Sequence, residues 1–177
     1  MVSLFVFALM LSPAADAGDV KIERATSTKA REGRAGIKGL KAQFLVNAPQ
    51  KKVVETLWDV KRFRAIFPDI KKLEVSAATE TKVVAAFYVD AVVKKLSYTL
   101  DRRFDRKGGV IYWRELAGDL KYVRGRWIVE KVSEKVSRVT YLSFVDVGTF
   151  VPTGMYRDLA MKKVNEMVGR VRAACIK

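Results

Sequence analysis

From Pro152 to Cys175 the chain carries one uninterrupted amphipathic pattern, preceded between Trp113 and Pro152 by a run of short strands. Tyr156, Leu159, Ala160, Val164, Met167, Val168, Val171 and Cys175 recur at spacings of three and four. Arg157, Lys162, Lys163, Arg170 and Arg172 fall mostly elsewhere on that helix. A helix with an apolar stripe must bury it against a second layer. One long helix across a curved antiparallel sheet encloses a volume that side chains need not fill. The pairing therefore predicts an α+β domain with room for a hydrophobic ligand.

The upstream residues supply the rest of that sheet. Ile37–Val46 reads as a strand, and Asn47-Ala48-Pro49 starts a helix with proline at its first position, where the missing N–H costs nothing. Val53, Val54, Leu57 and Trp58 follow on one face, and a second short helix carries Phe63, Ile66 and Phe67 before Pro68-Asp69 ends it. Further strands are expected over 70–76, 82–93, 95–104, 110–116, 122–132 and 138–147. Val83, Ala85, Phe87 and Val89 alternate with Val84, Ala86, Tyr88 and Asp90. Leu96, Tyr98 and Leu100 alternate in the same way with Ser97, Thr99 and Asp101. One face is apolar and the other mixed, the pattern of a sheet covered on one side and wetted on the other.

A chain of 177 residues, half of them apolar, suffices for one sizeable domain, taken here as residues 37–177. Residues 18–36 are polar, with only Val20 and Ile22 alternating, and read as a lead-in or an extra edge strand. Residues 1–17 read as a signal peptide: Val2 to Leu11 is apolar, and Ala15-Asp16-Ala17 sets small residues where a signal peptidase cuts. The stretch lacks a basic start, so a start further upstream and an N-terminal anchor both stay open, and a buried core helix is the alternative to processing. About ten apolar residues fall short of the ~20 that span a bilayer. The expectation is export, to the periplasm if the source is a Gram-negative bacterium.

The formal net charge is +15, spread around the chain in pairs such as Lys51-Lys52, Lys71-Lys72, Lys94-Lys95 and Arg102-Arg103. Dispersed charge of this kind suits peripheral contact with anionic membrane better than sequence reading of nucleic acid, for which no stacking aromatics interleave with the basic pairs. Cys175 is the only cysteine, so no disulfide within the chain is possible, and it is expected to pack as a small apolar residue. With no histidine anywhere, a Ser-His-Asp or Cys-His relay, an imidazole metal site and a histidine general base are excluded. No metal, no cofactor and no catalytic residue is assigned, and the chain is taken as a monomer.

The order strand, two short helices, six strands, long helix resembles the helix-grip fold. Local residues sharpen the likeness: Ala48-Pro49, Leu57-Trp58-Asp59, Phe63, Phe67-Pro68-Asp69-Ile70, Trp113, Gly118-Asp119, Gly125-Arg126-Trp127, Val139-Thr140-Tyr141, Asp146 and Val151-Pro152. Over roughly residues 40 to 175 the chain resembles the START-like polyketide cyclase and coenzyme Q-binding families of the SRPBCC superfamily. The resemblance implies a sheet wrapped around the last helix, with an apolar cavity for a lipid, an isoprenoid quinone or a polyketide-like molecule.

On that reading the ligand-binding candidates are Phe63 and Phe67 on the short helix, Phe87, Tyr98, Trp113 and Trp127 on the strands, and Met155 and Leu159 on the long helix. Each has packing as its alternative role. Arg102, Arg114, Arg124 and Arg126 lie within strands. The expectation is that they decorate the convex face beside Asp101, Glu115 or Glu130, with an inward arginine as the alternative, able to hold an anionic or carbonyl group through its fork of donors. Asp90 and Asp146 are the carboxylates to consider for acid-base work. The leading expectation is a carrier of a hydrophobic small molecule. The alternative is a cyclase or aromatase acting in the same cavity, and whether the chain is an enzyme stays open, with a carrier favoured.

Overall fold

The computed structural model describes residues 20–90, 95–146 and 153–176, without the side chains of Ala30 and of residues 153–157; the segment expected to direct export lies outside them. The elements are β1 (Lys21–Thr26), α1 (Lys29–Glu32), β2 (Lys38–Val46), α2 (Gln50–Trp58), a 3-10 turn (Val60–Arg62), α3 (Phe63–Ile66), β3 (Ile70–Ala78) and β4 (Lys82–Asp90). They continue through β5 (Lys95–Asp105), β6 (Val110–Gly118), β7 (Tyr122–Ser133), β8 (Val136–Asp146) and α4 (Thr153–Ile176). Pro49 sits one position earlier than its sequence suggests, as the residue capping α2, with φ −59° and ψ 147°.

The strands form one antiparallel sheet in the order β1-β2-β8-β7-β6-β5-β4-β3. Consecutive hairpins build β3 through β8, whereas β2 leaves through the helices α2 and α3 and pairs with β8. Bulges interrupt the β3–β4, β5–β6 and β7–β8 ladders. Each adds local bend and twist, and together with the sheet's own twist they let it curve around a helix.

The concave face is sealed at one end. Val46, Val53, Leu57, Ile66, Ile111, Val129, Val139 and Val171 are fully buried there in one cluster with Met167, Val168 and Cys175 of α4. Burial pushes the Cys175 thiol pKa up, with Thr56 opposing it, so this cysteine packs as an inert apolar residue. Polar ties fix the layers: Ser137 Oγ donates to the Ala48 carbonyl at 2.8 Å, Gln50 Nε2 to Val129 O at 2.7 Å, and Arg172 Nε to Leu45 O at 2.9 Å. Among the described residues no helix is long and apolar enough to cross a membrane.

Candidate functional site

Strand alternation turns Val83, Ala85 and Phe87 of β4 and Leu100 of β5 toward the helices, where they form a second buried cluster with Phe63 of α3. A row of aromatic rings crosses this half of the concave face. Phe63 lies 5.3 Å from Phe67 and 6.1 Å from Phe87, and Phe87 stacks on Tyr98 at 5.6 Å. A second group sits on β6, β7 and β8: Trp127 is 4.5 Å from Tyr141 and 6.1 Å from Trp113, and Trp113 stacks on Tyr141 at 5.8 Å. Trp113 touches both clusters and joins the two groups.

Six of the eight residues named from the sequence therefore meet on one surface. Phe63, Phe87 and Trp127 are buried in it, while Phe67, Tyr98 and Trp113 keep part of their area exposed. Leu159 is half-buried on the second turn of α4, and the side chain of Met155 lies outside the described residues. Tyr141 belongs to the same surface although sequence reasoning did not select it. The alternation that would have found it is blurred in β8, where Leu142 and Phe144 on the opposite face are also apolar.

Tyr98 and Tyr141 share an unusual environment. Both side chains keep accessible area. Yet burial pushes both phenol pKa values up, aided for Tyr98 by the nearby Tyr141 and opposed for Tyr141 by a hydrogen bond with Ser143. Both phenols stay protonated at neutral pH and can donate a hydrogen bond to a carbonyl or hydroxyl oxygen brought beside them.

Arg102 corrects one expectation. It points inward and is 1% exposed, and its Nη2 donates to the Leu57 carbonyl at 2.7 Å and its Nη1 to that of Trp58 at 3.1 Å. These are carbonyls at the C-terminal end of α2, where a cation also meets the negative end of the helix dipole. The guanidinium carbon lies 4.3 Å from the ring centre of Phe63 and 5.3 Å from that of Trp58, within cation–π range. Burial pushes the Arg102 pKa down to about 9, with Asp59 pulling the other way, so it stays cationic at neutral pH. Arg102 therefore locks α2 and α3 onto β5, and these two bonds go to backbone rather than to an anion. Arg114 lies on the convex face, bonded to Asp101 at 3.2 Å.

The carboxylate candidates do not reach this surface. Asp90 is exposed on the opposite face of β4 from Phe87, and Asp146 pairs across from Tyr122 on the convex side, 3.9 Å from Arg34. Glu115 fills a gap where the β6–β7 ladder ends, accepting the Val123 N–H at 2.7 Å. Among the described residues no group of three or more His, Cys, Asp or Glu is placed to hold a metal.

No family model and no curated protein matches the sequence. Solved structures do. Human StAR-related lipid transfer protein 5 superposes with a TM-score of 0.72 at 10% identity, over 89% of this chain and 82% of that one. A STAR-related lipid transfer protein from Xanthomonas axonopodis gives 0.68 at 16% identity, over 88% and 94%. The Zhui aromatase/cyclase from Streptomyces sp. R1128 gives 0.66 at 17% identity, over 89% and 94%. With a curved eight-stranded antiparallel sheet, two short helices after β2 and a long C-terminal helix, the chain has the START-like helix-grip fold.

Proposed function

We propose that this chain binds and carries a hydrophobic small molecule, a lipid, isoprenoid quinone or polyketide-like compound, between the concave face of the sheet and α4. The observation that carries the reading is the contrast along that face. At the α2 end most side chains are fully buried, with Val54, Trp58 and Phe104 partly so, whereas Phe67, Leu73, Val89, Tyr98, Trp113, Leu120, Tyr141 and Val145 keep exposed area along the rest of the face. An apolar guest covering them gains roughly 25 cal/mol for each Å² removed from water. The fold likeness to lipid-transfer proteins and aromatase/cyclases agrees with a guest of this class. Phe63, Phe67, Phe87, Tyr98, Trp113, Trp127, Met155 and Leu159 are proposed as its lining, with Tyr141 added.

The chain is further proposed to be exported through residues 1–17, to act in the periplasm of a Gram-negative source, and to meet anionic membrane through its cationic exterior as a monomer. The apolar Val2–Leu11 stretch, the Ala15-Asp16-Ala17 site and the net charge of +15 support this. N-terminal sequencing of protein recovered from the periplasm is expected to begin at Gly18; retention of residues 1–17 contradicts it.

A second reading, an aromatase or cyclase, is favoured by one observation: Tyr98 and Tyr141 bring two neutral phenols to the apolar surface, where they can polarise a substrate carbonyl. A fluorescent fatty acid titrated into the protein tests the shared core of both readings. Saturable binding at one site with quenching of tryptophan emission is expected, and no saturable binding contradicts it. Turnover of a poly-β-ketone analogue, lost on Tyr98→Phe with binding retained, selects the enzyme.

A further inference from the structure

The convex face carries a built cleft on the far side of the sheet from the interior. The segment after edge strand β1, residues 27–36 with the short helix α1, folds over that face as a short arm. The Tyr122 hydroxyl donates to the Glu32 carbonyl, and the Glu32 carboxylate, 4% exposed, accepts from Thr28 N at 2.7 Å, Thr28 Oγ1 at 3.0 Å and Arg126 Nη1 at 3.2 Å. Beneath the arm, Asp101 is 3% exposed, and its Oδ2 alone receives Arg103 at 3.2 Å and Arg114 at 3.2 Å. Gly33, at φ +78°, lets the Arg124 guanidinium pack against it: a Cβ there would stand 3.1 Å from Nη1.

The result is a cleft of about 120 Å³, partly open to solvent, around which Arg31, Arg103, Arg114, Arg124 and Arg126 converge on Glu32 and Asp101. Five cations face two carboxylates, and among the described residues Arg31 and Arg124 have no carboxylate partner. Each guanidinium carries five N–H donors, far more than these two carboxylates accept. Gathering five like charges around one space is repulsive, and a bound anion relieves it. A carboxylate ligand brings two oxygens, whereas a phosphate brings three or four in a tetrahedron, which several planar forks can grip at once.

We propose that this cleft binds a phosphate group, supplied either as soluble phosphate or as a phospholipid headgroup. The inference stands apart from the interior ligand, because the charged groups that would grip the anion all project from the convex side, and Trp113 is the one proposed interior-lining residue that also borders the cleft. The test titrates inorganic phosphate into the full chain by calorimetry at low ionic strength. Saturable one-to-one binding is expected, weakened at least about tenfold by Arg31→Gln with Arg103→Gln and changed less than about twofold by Lys51→Gln with Lys135→Gln, two exposed cations outside the cleft. Arg31→Gln alone, exposed and bonded to no buried carboxylate, is expected to weaken binding about threefold without moving the unfolding midpoint, which separates a lost site from a lost fold.

Flotation with phosphatidylcholine vesicles containing phosphatidic acid then names the source. Retention lost in the double arginine variant identifies a lipid headgroup, and retention unchanged beside a weakened phosphate titration identifies soluble phosphate. Absence of saturable phosphate binding, or equal weakening by the lysine pair, overturns the proposal.

Discussion

The Arg102 guanidinium donates to the Leu57 carbonyl at 2.7 Å across 45 positions of chain, joining the middle of β5 to the end of α2. Hydrogen bonds from charged groups contribute about 1.5–3 kcal/mol each, and buried acceptors left bare cost more than their shape suggests. Arg102→Ala is expected to lower the unfolding free energy by about 3 kcal/mol in urea denaturation. Arg102→Lys is expected to recover only part of it, because one ammonium lacks the fork that spans two carbonyls. Equal stability of Arg102→Ala and the parent contradicts the bracing role.

Gly125 lies beneath Trp113. A Cβ at this position would stand 2.2 Å from Trp113 Cζ2 and 2.3 Å from the Leu142 carbonyl oxygen, and the backbone of the paired strand cannot yield cheaply. Gly125→Ala is therefore expected to cost about 1–3 kcal/mol. It is also expected to tilt the indole away from Tyr141, seen as a changed near-ultraviolet circular dichroism signal. An unaltered spectrum and midpoint contradict this packing.

Glu32 makes the convex arm sensitive to acid. Burial alone would raise its carboxyl pKa, but the Thr28 N–H, the Thr28 hydroxyl and Arg126 together hold it below the ordinary value of 4.5. Because the folded pKa is the lower one, the unfolded chain binds this proton more readily. The carboxylate's contribution is present above pH 4.5 and is lost as pH falls through the folded value. Urea midpoints between pH 2 and 6 are expected to fall less steeply for Glu32→Gln than for the parent, with Glu32→Gln the less stable at neutral pH by about 1–3 kcal/mol.

Tyr98 and Tyr141 separate packing from recognition. Among the described residues the Tyr98 hydroxyl has no hydrogen-bond partner, so Tyr98→Phe is expected to leave the unfolding free energy within about 0.5 kcal/mol of the parent's. The same change is expected to weaken a ligand bearing a carbonyl or hydroxyl by several-fold and to leave a pure hydrocarbon chain unaffected. Equal effects on both ligands remove the phenol from the proposed site.

The sheet and long helix were legible because their periodicities are strong: Val83, Ala85 and Phe87 alternate, and Val164, Met167, Val168 and Val171 recur at helical spacing. Phe63 and Phe67 were legible as a pair because Pro68 ends their helix. Arg102 was not, since a strand arginine that bonds backbone carbonyls 45 positions away looks locally like Arg114, which faces outward. The convex cleft was hidden for a related reason. Its charges come from α1, β5, β6 and β7, and residues 18–36 show only Val20 and Ile22 as apolar alternation, so nothing local reveals that Glu32 is buried.

Native mass spectrometry of the purified full chain tests the interior site most directly, beside a Val145→Trp variant that fills the partly exposed end of the concave face. The account predicts one apolar molecule per parent chain, recoverable by organic extraction, and none on Val145→Trp despite a native fold. Parent protein that carries no such molecule and takes up none from a lipid extract, with Val145→Trp folding no differently, contradicts it.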